Sequence, residues 1–428
     1  MKLTRRNLMK TMGFFSLTIP FSTLFESVQG FDALQLVEKY ANTPDNQSEF
    51  WFWVRQSFTT SPTILNLNNG GVSPQPKPVQ DAFIRYNQIS NEGPAYFMWR
   101  ILDQGREPLR KKLAELAGCS PDEIAINRNT TEGMDTIIFG LKLKPGDEVV
   151  LAKQDYPNVI NAWKYREARD QIKLVWVDLQ LPSENLDYLV NAYTSKFTSK
   201  TKVVNLTHMI NWNGQILPVK EIAIEAKRKG IYVLVDGAHT FAHLNFKIPD
   251  LNCDFFATSL HKWLCAPFGT GMLYIRKELI SEISPLFPND NPSSTDIRKF
   301  ESLGTRSFPA EMAIADAINF HNLIGSTRKE TRLRALKNYW VENLSKFSQI
   351  EILTPMSDKF SCGLGIFAVK NKKPEEVADY LFNKHKIYTV AINWENIHGV
   401  RVTPHLYINE DDLDRFVSAV KDFINNNK

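Results

Sequence analysis

Cysteine is scarce in this chain: Cys119, Cys253, Cys265 and Cys362 are the only four in 428 residues, with no CxxC pair and no regular spacing. That argues against a zinc ribbon and a dense disulfide framework, and leaves room for a single bridge in an oxidising compartment. Long apolar runs are also missing. The longest near the N-terminus, TMGFFSLTIPF, has about eleven residues, where a membrane-spanning helix needs ~20. A charge excess is lacking as well. The formal net charge is +4, and Lys2, Arg5, Arg6 and Lys10 against Glu26 place +3 of it in the first thirty residues. The remainder, about +1, offers no electrostatic case for nucleic acid. Internal repeats and low-complexity tracts are absent, which excludes solenoids and leaves an ordinary globular composition, 43% apolar.

What the N-terminus does contain is a basic start, a short apolar stretch and then a polar segment, the pattern of a signal peptide. Arg5 and Arg6, flanked by Thr4, Leu8 and Lys10, resemble the twin-arginine export motif. An ordinary secretory signal or a basic helix start is the competing explanation. The expectation is a segment over 1–30, cleaved near 27–31, that engages the twin-arginine translocation machinery and delivers a periplasmic protein without a stable membrane span.

Beyond it, residues 31–65 read as a helical arm carrying aromatic residues that need burial. NLNNGGVSPQPKPV is a glycine- and proline-rich turn leading into a helix, and Gly118 is placed to end the amphipathic helix EPLRKKLAELAG. Strand and helix then alternate: EIAIN, EVVLA, KLVWVDL, KVVNLTHM and IYVLV are each followed by a helical or turn segment. Such alternation predicts a mostly parallel sheet covered on both faces. Runs such as VVNL and YVLV, apolar without period-2 alternation, fit strands buried on both sides. After about residue 310 the pattern becomes long helices and short strands. The predicted organisation is a large domain over 66–310 and a smaller C-terminal α+β domain over 311–428.

The chemistry concentrates between Val233 and Arg276. IYVLV runs into Asp236, and CDFFATS delivers Ser259, His261 and Lys262 within four positions. Open α/β sheets bind ligands at the carboxyl ends of their strands, so both clusters should face one crevice. An acid and a lysine meeting there suit pyridoxal phosphate (PLP): the lysine joins its aldehyde and the acid holds its pyridinium nitrogen. Most lysines are solvated surface charges and most aspartates after strands cap a turn. A lysine directly after an apolar strand is not expected on the surface, and burial there would lower its pKa. Thr130 and Thr131 open a helix whose N-terminus attracts phosphate; taken alone, they read first as an N-cap. His239 and His243 are four apart, as metal ligands on a helix can be, but HTFAH lacks the Glu of a zincin motif. No metal site is expected.

Together these residues resemble the class V aminotransferase family of fold-type I PLP enzymes, over essentially the whole chain after residue 60. The family's S-x-H-K run is matched by Ser259, His261 and Lys262. The resemblance marks Lys262 as the cofactor-linked lysine, with Ser259 and His261 on the phosphate. It implies Asp236 on the pyridine nitrogen and His239 near the phenolic oxygen. A segment of the form S-H-x-x-N-x-x-G is matched from Thr207 to Gly214, implying Asn211 as that oxygen's second partner. Thr130 and Thr131 match the phosphate-binding helix start, which reverses the cap reading. Tyr156, in DYPNVINAW, stands where the family stacks a ring on the cofactor. Thr305, in ESLGTR, stands where it reaches across a homodimer to the partner's phosphate. Arg401 matches the arginine that grips the substrate carboxylate, and Asn69 in LNNGG is expected beside the substrate.

Within the family the chain is most similar to the isopenicillin N epimerase-like branch, through LNNGG, GTR and QDYP. Cysteine desulfurases carry a nucleophilic Cys shortly before the final Arg; here Tyr388–Gly399 contains none. The resemblance implies an exported PLP enzyme acting at Cα of an amino acid or peptide-like amine, a class V aminotransferase first, with epimerisation or C–S/β-elimination as alternatives. Twin-arginine export carries folded proteins, so cofactor captured in the cytoplasm would travel with the chain. Two other classes stay open: a metal-dependent hydrolase on Asp236, His239 and His243, and a PLP-binding protein without catalysis.

Overall fold

Seven strands between residues 124 and 275 build the sheet that the alternation predicts. The computed structural model describes residues 33–41 and 47–426; the expected export segment lies outside them. Among the described residues no helix is long and apolar enough to cross a membrane. The chain divides into two units, Met1–Ser57 and Phe58–Lys428. In the first, residues 33–41 are helical and a helix spans Gln47–Gln56, with Phe50 and Val54 buried one turn apart. The expected aromatic burial is partial, since Phe52 is half-exposed.

In the second unit, β1 (Leu65–Asn66) precedes the main sheet. That sheet comprises β2 (Ile124–Asn127), β3 (Glu148–Ala152), β4 (Lys173–Val177), β5 (Thr201–Thr207), β6 (Tyr232–Asp236), β7 (Phe255–Ser259) and β8 (Gly271–Ile275). The strand order is β2-β8-β7-β6-β5-β3-β4. All neighbours are parallel except β8, which runs antiparallel to both β2 and β7. Every residue of β3, β7 and β8 is buried, as apolar runs between two helical layers must be.

A second sheet of four antiparallel strands, β9 (Ile350–Ile352), β10 (Gly365–Val369), β12 (Val390–Trp394) and β13 (Ile397–Val402), follows in the order β12-β13-β10-β9. Its companion β11 (Ile387–Tyr388) pairs in parallel with β1. Helices Ser326–Leu344, Pro374–His385 and Glu410–Asn426 accompany it. Of the helices expected after about residue 310, the first is preceded by a short one: Phe308–Met312 and then Ile314–Ile324.

Local chemistry sets the ends that matter. Gly118 terminates the helix Arg106–Ala117 at φ +75°, a left-handed conformation that glycine adopts without steric cost. Asn129 caps the helix Thr130–Gly140, its side chain accepting from the Glu132 N–H. Thr130 is therefore not the cap, and its hydroxyl is free for another partner. Parallel order puts the C-terminal ends of β2, β3, β5, β6 and β7 along one edge. The register makes Asp236 the lateral neighbour of Thr207 on one side and Ala257 on the other.

Candidate functional site

That edge opens into a cavity of about 480 Å³ lined by residues from all five strand ends and from β12 and β13. Thr130, Thr131, Tyr156, Asn211, Asp236, His239, Ser259, His261, Lys262 and Arg401, each singled out in the sequence, are among its lining residues. Asn69 is not brought there. Thr305, expected on the phosphate of a partner subunit, is exposed and does not line the cavity of its own chain. Asn69 is fully buried and turned away: it donates to the Thr403 carbonyl (2.9 Å) and accepts from the Tyr407 hydroxyl (2.6 Å). Its neighbour Asn68 accepts from Arg401 Nη2 at 2.9 Å, behind the lining of the cavity.

Lys262 lies at the bottom of this arrangement. Burial lowers its ammonium to about 8, the Asp236 carboxylate pulling back upward and the Arg401 charge adding to the drop. Burial in turn pushes the Asp236 carboxyl up, against the pull of the Ala238 N–H, which donates to it at 2.9 Å, and of Lys262. Gly237 between them is required by packing, because a Cβ there would meet the Phe256 ring at 1.9 Å. His239 Nε2 is 3.2 Å from Lys262 Nζ, and Trp263 Nε1 donates to His239 Nδ1 at 3.4 Å.

Those two contacts determine a proton position. Indole N–H is a donor only, so His239 Nδ1 accepts and Nε2 carries the hydrogen. Nε2–H then donates to the neutral amine of Lys262, the form that predominates above about pH 8. Burial, then the charges of Lys262 and Arg401, keep His239 well below the usual imidazole range, in agreement. Trp263 is itself clamped on the His243 ring (3.6 Å between centroids, 17°). His243 has both ring nitrogens engaged, with the His239 carbonyl at 2.7 Å and the Gly363 N–H at 3.0 Å. It is a packing residue, and no group of three potential metal ligands occurs among the described residues. We expect Trp263→Phe, which keeps the stack and removes the N–H, to raise the Lys262 pKa by about one unit, since the freed imidazole can then accept from the ammonium. The pH dependence of cofactor uptake by apoprotein reads this. An unshifted midpoint would refute the tautomer assignment.

At the far side, the Ser259 hydroxyl sits 2.9 Å from the Thr130 N–H, which donates to it, and 2.8 Å from the Thr130 hydroxyl. His261 fixes its ring by Nδ1 against the Thr270 carbonyl (3.0 Å). Hydroxyls, an imidazole and a helix N-terminus converge there, a combination suited to phosphate. Asp155, fully buried and raised to about 7 by burial, accepts from Thr207 (2.7 Å) and Asn205 (3.0 Å) and anchors the turn that carries Tyr156. Arg401 is fully buried and lowered to about 10. Its Nη1 donates to the Asn211 carbonyl at 2.9 Å, and its Nε has no partner. Each terminal nitrogen keeps a second hydrogen, enough to hold a carboxylate.

The aminotransferase class-V family model matches residues 65–416. The chain belongs to this family. Isopenicillin N epimerase from Amycolatopsis lactamdurans is 28% identical over 393 residues, covering 87% of this chain and 98% of that protein. A probable cysteine desulfurase from Halalkalibacterium halodurans is 26% identical over 392 residues, covering 86% and 94%. Among solved structures, a variant of C-DES with glycine covalently linked to its PLP cofactor superposes with a TM-score of 0.77. That pair shares 22% identity, with 86% of this chain and 99% of C-DES covered, and the likeness shows the fold. The protein has the α/β fold of fold-type I PLP enzymes, and its cofactor is PLP.

The lining of this class V site fits that cofactor. A half-buried lysine stands near a buried acid, hydroxyls gather at a helix start, and the Asn211 Oδ1 is buried without a hydrogen-bond partner. The stretch Tyr388–Gly399, where cysteine desulfurases carry their nucleophile, is a tight hairpin of β12 and β13 closed at Trp394 and Ile397. Cys265, three residues past Lys262, is buried, not among the lining residues, and pushed up to about 11. Sequence reasoning missed Asn68, Trp212 and Trp263. Each lies beside a residue already singled out: Asn68 within LNNGG, Trp212 next to Asn211, and Trp263 next to the S-x-H-K run.

Proposed function

We propose that the protein is a PLP-dependent aminotransferase for an amine bearing a carboxylate, with Lys262 moving the proton at Cα. The observation that carries this reading is one half-buried amine with its ammonium lowered to about 8, coupled to the Asp236 carboxylate and lining a cavity that also contains Arg401. Bound PLP supplies an electron sink for the bond broken at Cα. Thr130, Thr131, Ser259 and His261 hold its phosphate. Asp236 keeps a positive charge on its ring nitrogen, and His239 and Asn211 fix its phenolic oxygen. Tyr156 covers a ring face and limits water access. Arg401 orients the substrate by its carboxylate, a task for which a forked guanidinium suits better than an ammonium. Lys262, when not joined to the cofactor, would take the Cα proton and deliver it on the same face to the cofactor carbon that carries the nitrogen, the shift that transamination requires.

Transamination needs only that single proton carrier. Epimerisation needs a second one on the opposite face, for which Tyr156, a lining residue with an ionisable hydroxyl, is the candidate; the two isopenicillin N epimerase relatives favour this second reading. The experiment is an amine screen in deuterated water with products assayed separately. A keto acid formed in proportion to the amine consumed is expected. A racemised, α-deuterated amine without keto acid would replace transamination by epimerisation. Persistent inertness toward every amine, by both product and absorbance, would sink the enzymatic reading.

A further inference from the structure

The apolar wall of the site continues well past the reach of a simple amino acid. Strand residues two apart share a face, and β12 presents Val390 and Ile392 to the Lys262 cavity. Trp394, the next on that face, lines a second cavity of about 300 Å³, and Pro157 borders both. Val390 is the ladder partner of Arg401. The row thus starts beside the guanidinium and ends four residues on, ~13 Å away at strand rise.

The walls at its outer end are aromatic and fixed. Trp394 stacks on Trp212 (5.1 Å, 20°), and Trp212 in turn lies 6.5 Å from Tyr156. Both indole N–H groups donate to backbone carbonyls just before Tyr156: Trp394 to Lys153 at 2.9 Å and Trp212 to Gln154 at 3.0 Å. Trp176, from the sheet-edge strand β4, also lines the second cavity. Ile160, Asn161 and Lys164, a helical stripe following Pro157, complete this side, and the Lys164 ammonium is 5.8 Å from the Trp176 ring. The reaction at Cα uses none of these groups.

Two partly wet indoles bordering one cavity are costly to leave against water, and flat aromatic faces are best satisfied by another planar ring. We infer that this outer cavity is a distal substrate subsite, and that the protein acts on an elongated amine carrying a planar aromatic group about 13 Å from its carboxylate. A short peptide or amide conjugate has that reach. The inference rests on the functional reading above for the placement of the carboxylate at Arg401.

The test compares three probes on the PLP-loaded protein: L-glutamate, γ-glutamyl-glycyl-glycine 2-naphthylamide, and the N-acetylated form of the latter, which cannot react at its amine. Cofactor absorbance follows the first two, and naphthyl fluorescence follows the third. The naphthylamide should bind at least about tenfold tighter than glutamate, from ring contact plus apolar burial. Trp176→Ala and Trp394→Ala should each cut that advantage to about twofold while leaving glutamate affinity unchanged. Equal binding of the two amines by the native protein, or a full advantage kept in both variants, would overturn the subsite. Should neither amine move the absorbance, the functional reading fails by itself. Tryptophan-dependent binding of the acetylated probe then still upholds the distal subsite, and its absence rejects it.

Discussion

Lys262→Ala is expected to lower turnover of any amine substrate by roughly 10³-fold or more, the largest single effect available in this chain. Proton transfer by a positioned group contributes about 10²–10⁴-fold, and this residue also forms the covalent link to the cofactor. Borohydride reduction followed by peptide mass mapping checks the link independently of turnover. In the native protein the added mass should sit on the peptide containing Lys262, and the variant should show none. Label at another lysine, or undiminished activity, would remove Lys262 from the mechanism. The pH dependence has a defined sign. With the ammonium lowered to about 8 by burial, the reactive neutral amine predominates above that pH and falls about tenfold per unit below it. Uptake of PLP by apoprotein should therefore rise with pH to a plateau above about 8, where an ordinary lysine would still be climbing near 10. Burial first, then the charges of Asp236 and Arg401, set this midpoint.

Asp236→Asn is expected to cost roughly 10²- to 10³-fold in turnover. Removing one partner of a buried charge pair costs about 3–5 kcal/mol, and each 1.4 kcal/mol is a factor of ten. The amide keeps the shape and can still accept from the Ala238 N–H, which the carboxylate now does at 2.9 Å. Only the charge that holds the ring nitrogen protonated is lost. Absorbance of the bound cofactor should shift while its amount stays near stoichiometric. An Asn variant with native turnover would assign that role elsewhere, and one that no longer binds PLP would make Asp236 a holding group.

Much of the site is legible in the sequence because it depends on neighbours along the chain. Ser259, His261 and Lys262 follow one strand and Asp236 ends the next, so strand order alone brings them to one edge. Asn69 shows where such reasoning stops. It and Asn68 are chemically identical, and which one faces Arg401 depends on how the segment after β1 docks against Thr403 and Tyr407, more than 330 residues away. The threonine pair shows the same limit, because the cap is Asn129 and the Thr130 hydroxyl is spent on Ser259. β8 is a further case: it inserts antiparallel between β2 and β7, a pairing that no local pattern encodes.

The amino-acid sequence by itself determined the fold class, the family and the chemical core, since alternating apolar periodicity and a four-residue lysine motif are local properties. Tertiary structure alone decided the protonation of that core. The His239 tautomer depends on Trp263, whose orientation depends on stacking against His243, and the Lys262 ammonium is lowered to about 8 because folding removes it from water. The apolar row from Val390 to Trp394 and its second cavity exist only once hairpin, helix and edge strand are assembled. Burial and stacking arise between segments distant in the chain, and no residue carries them alone.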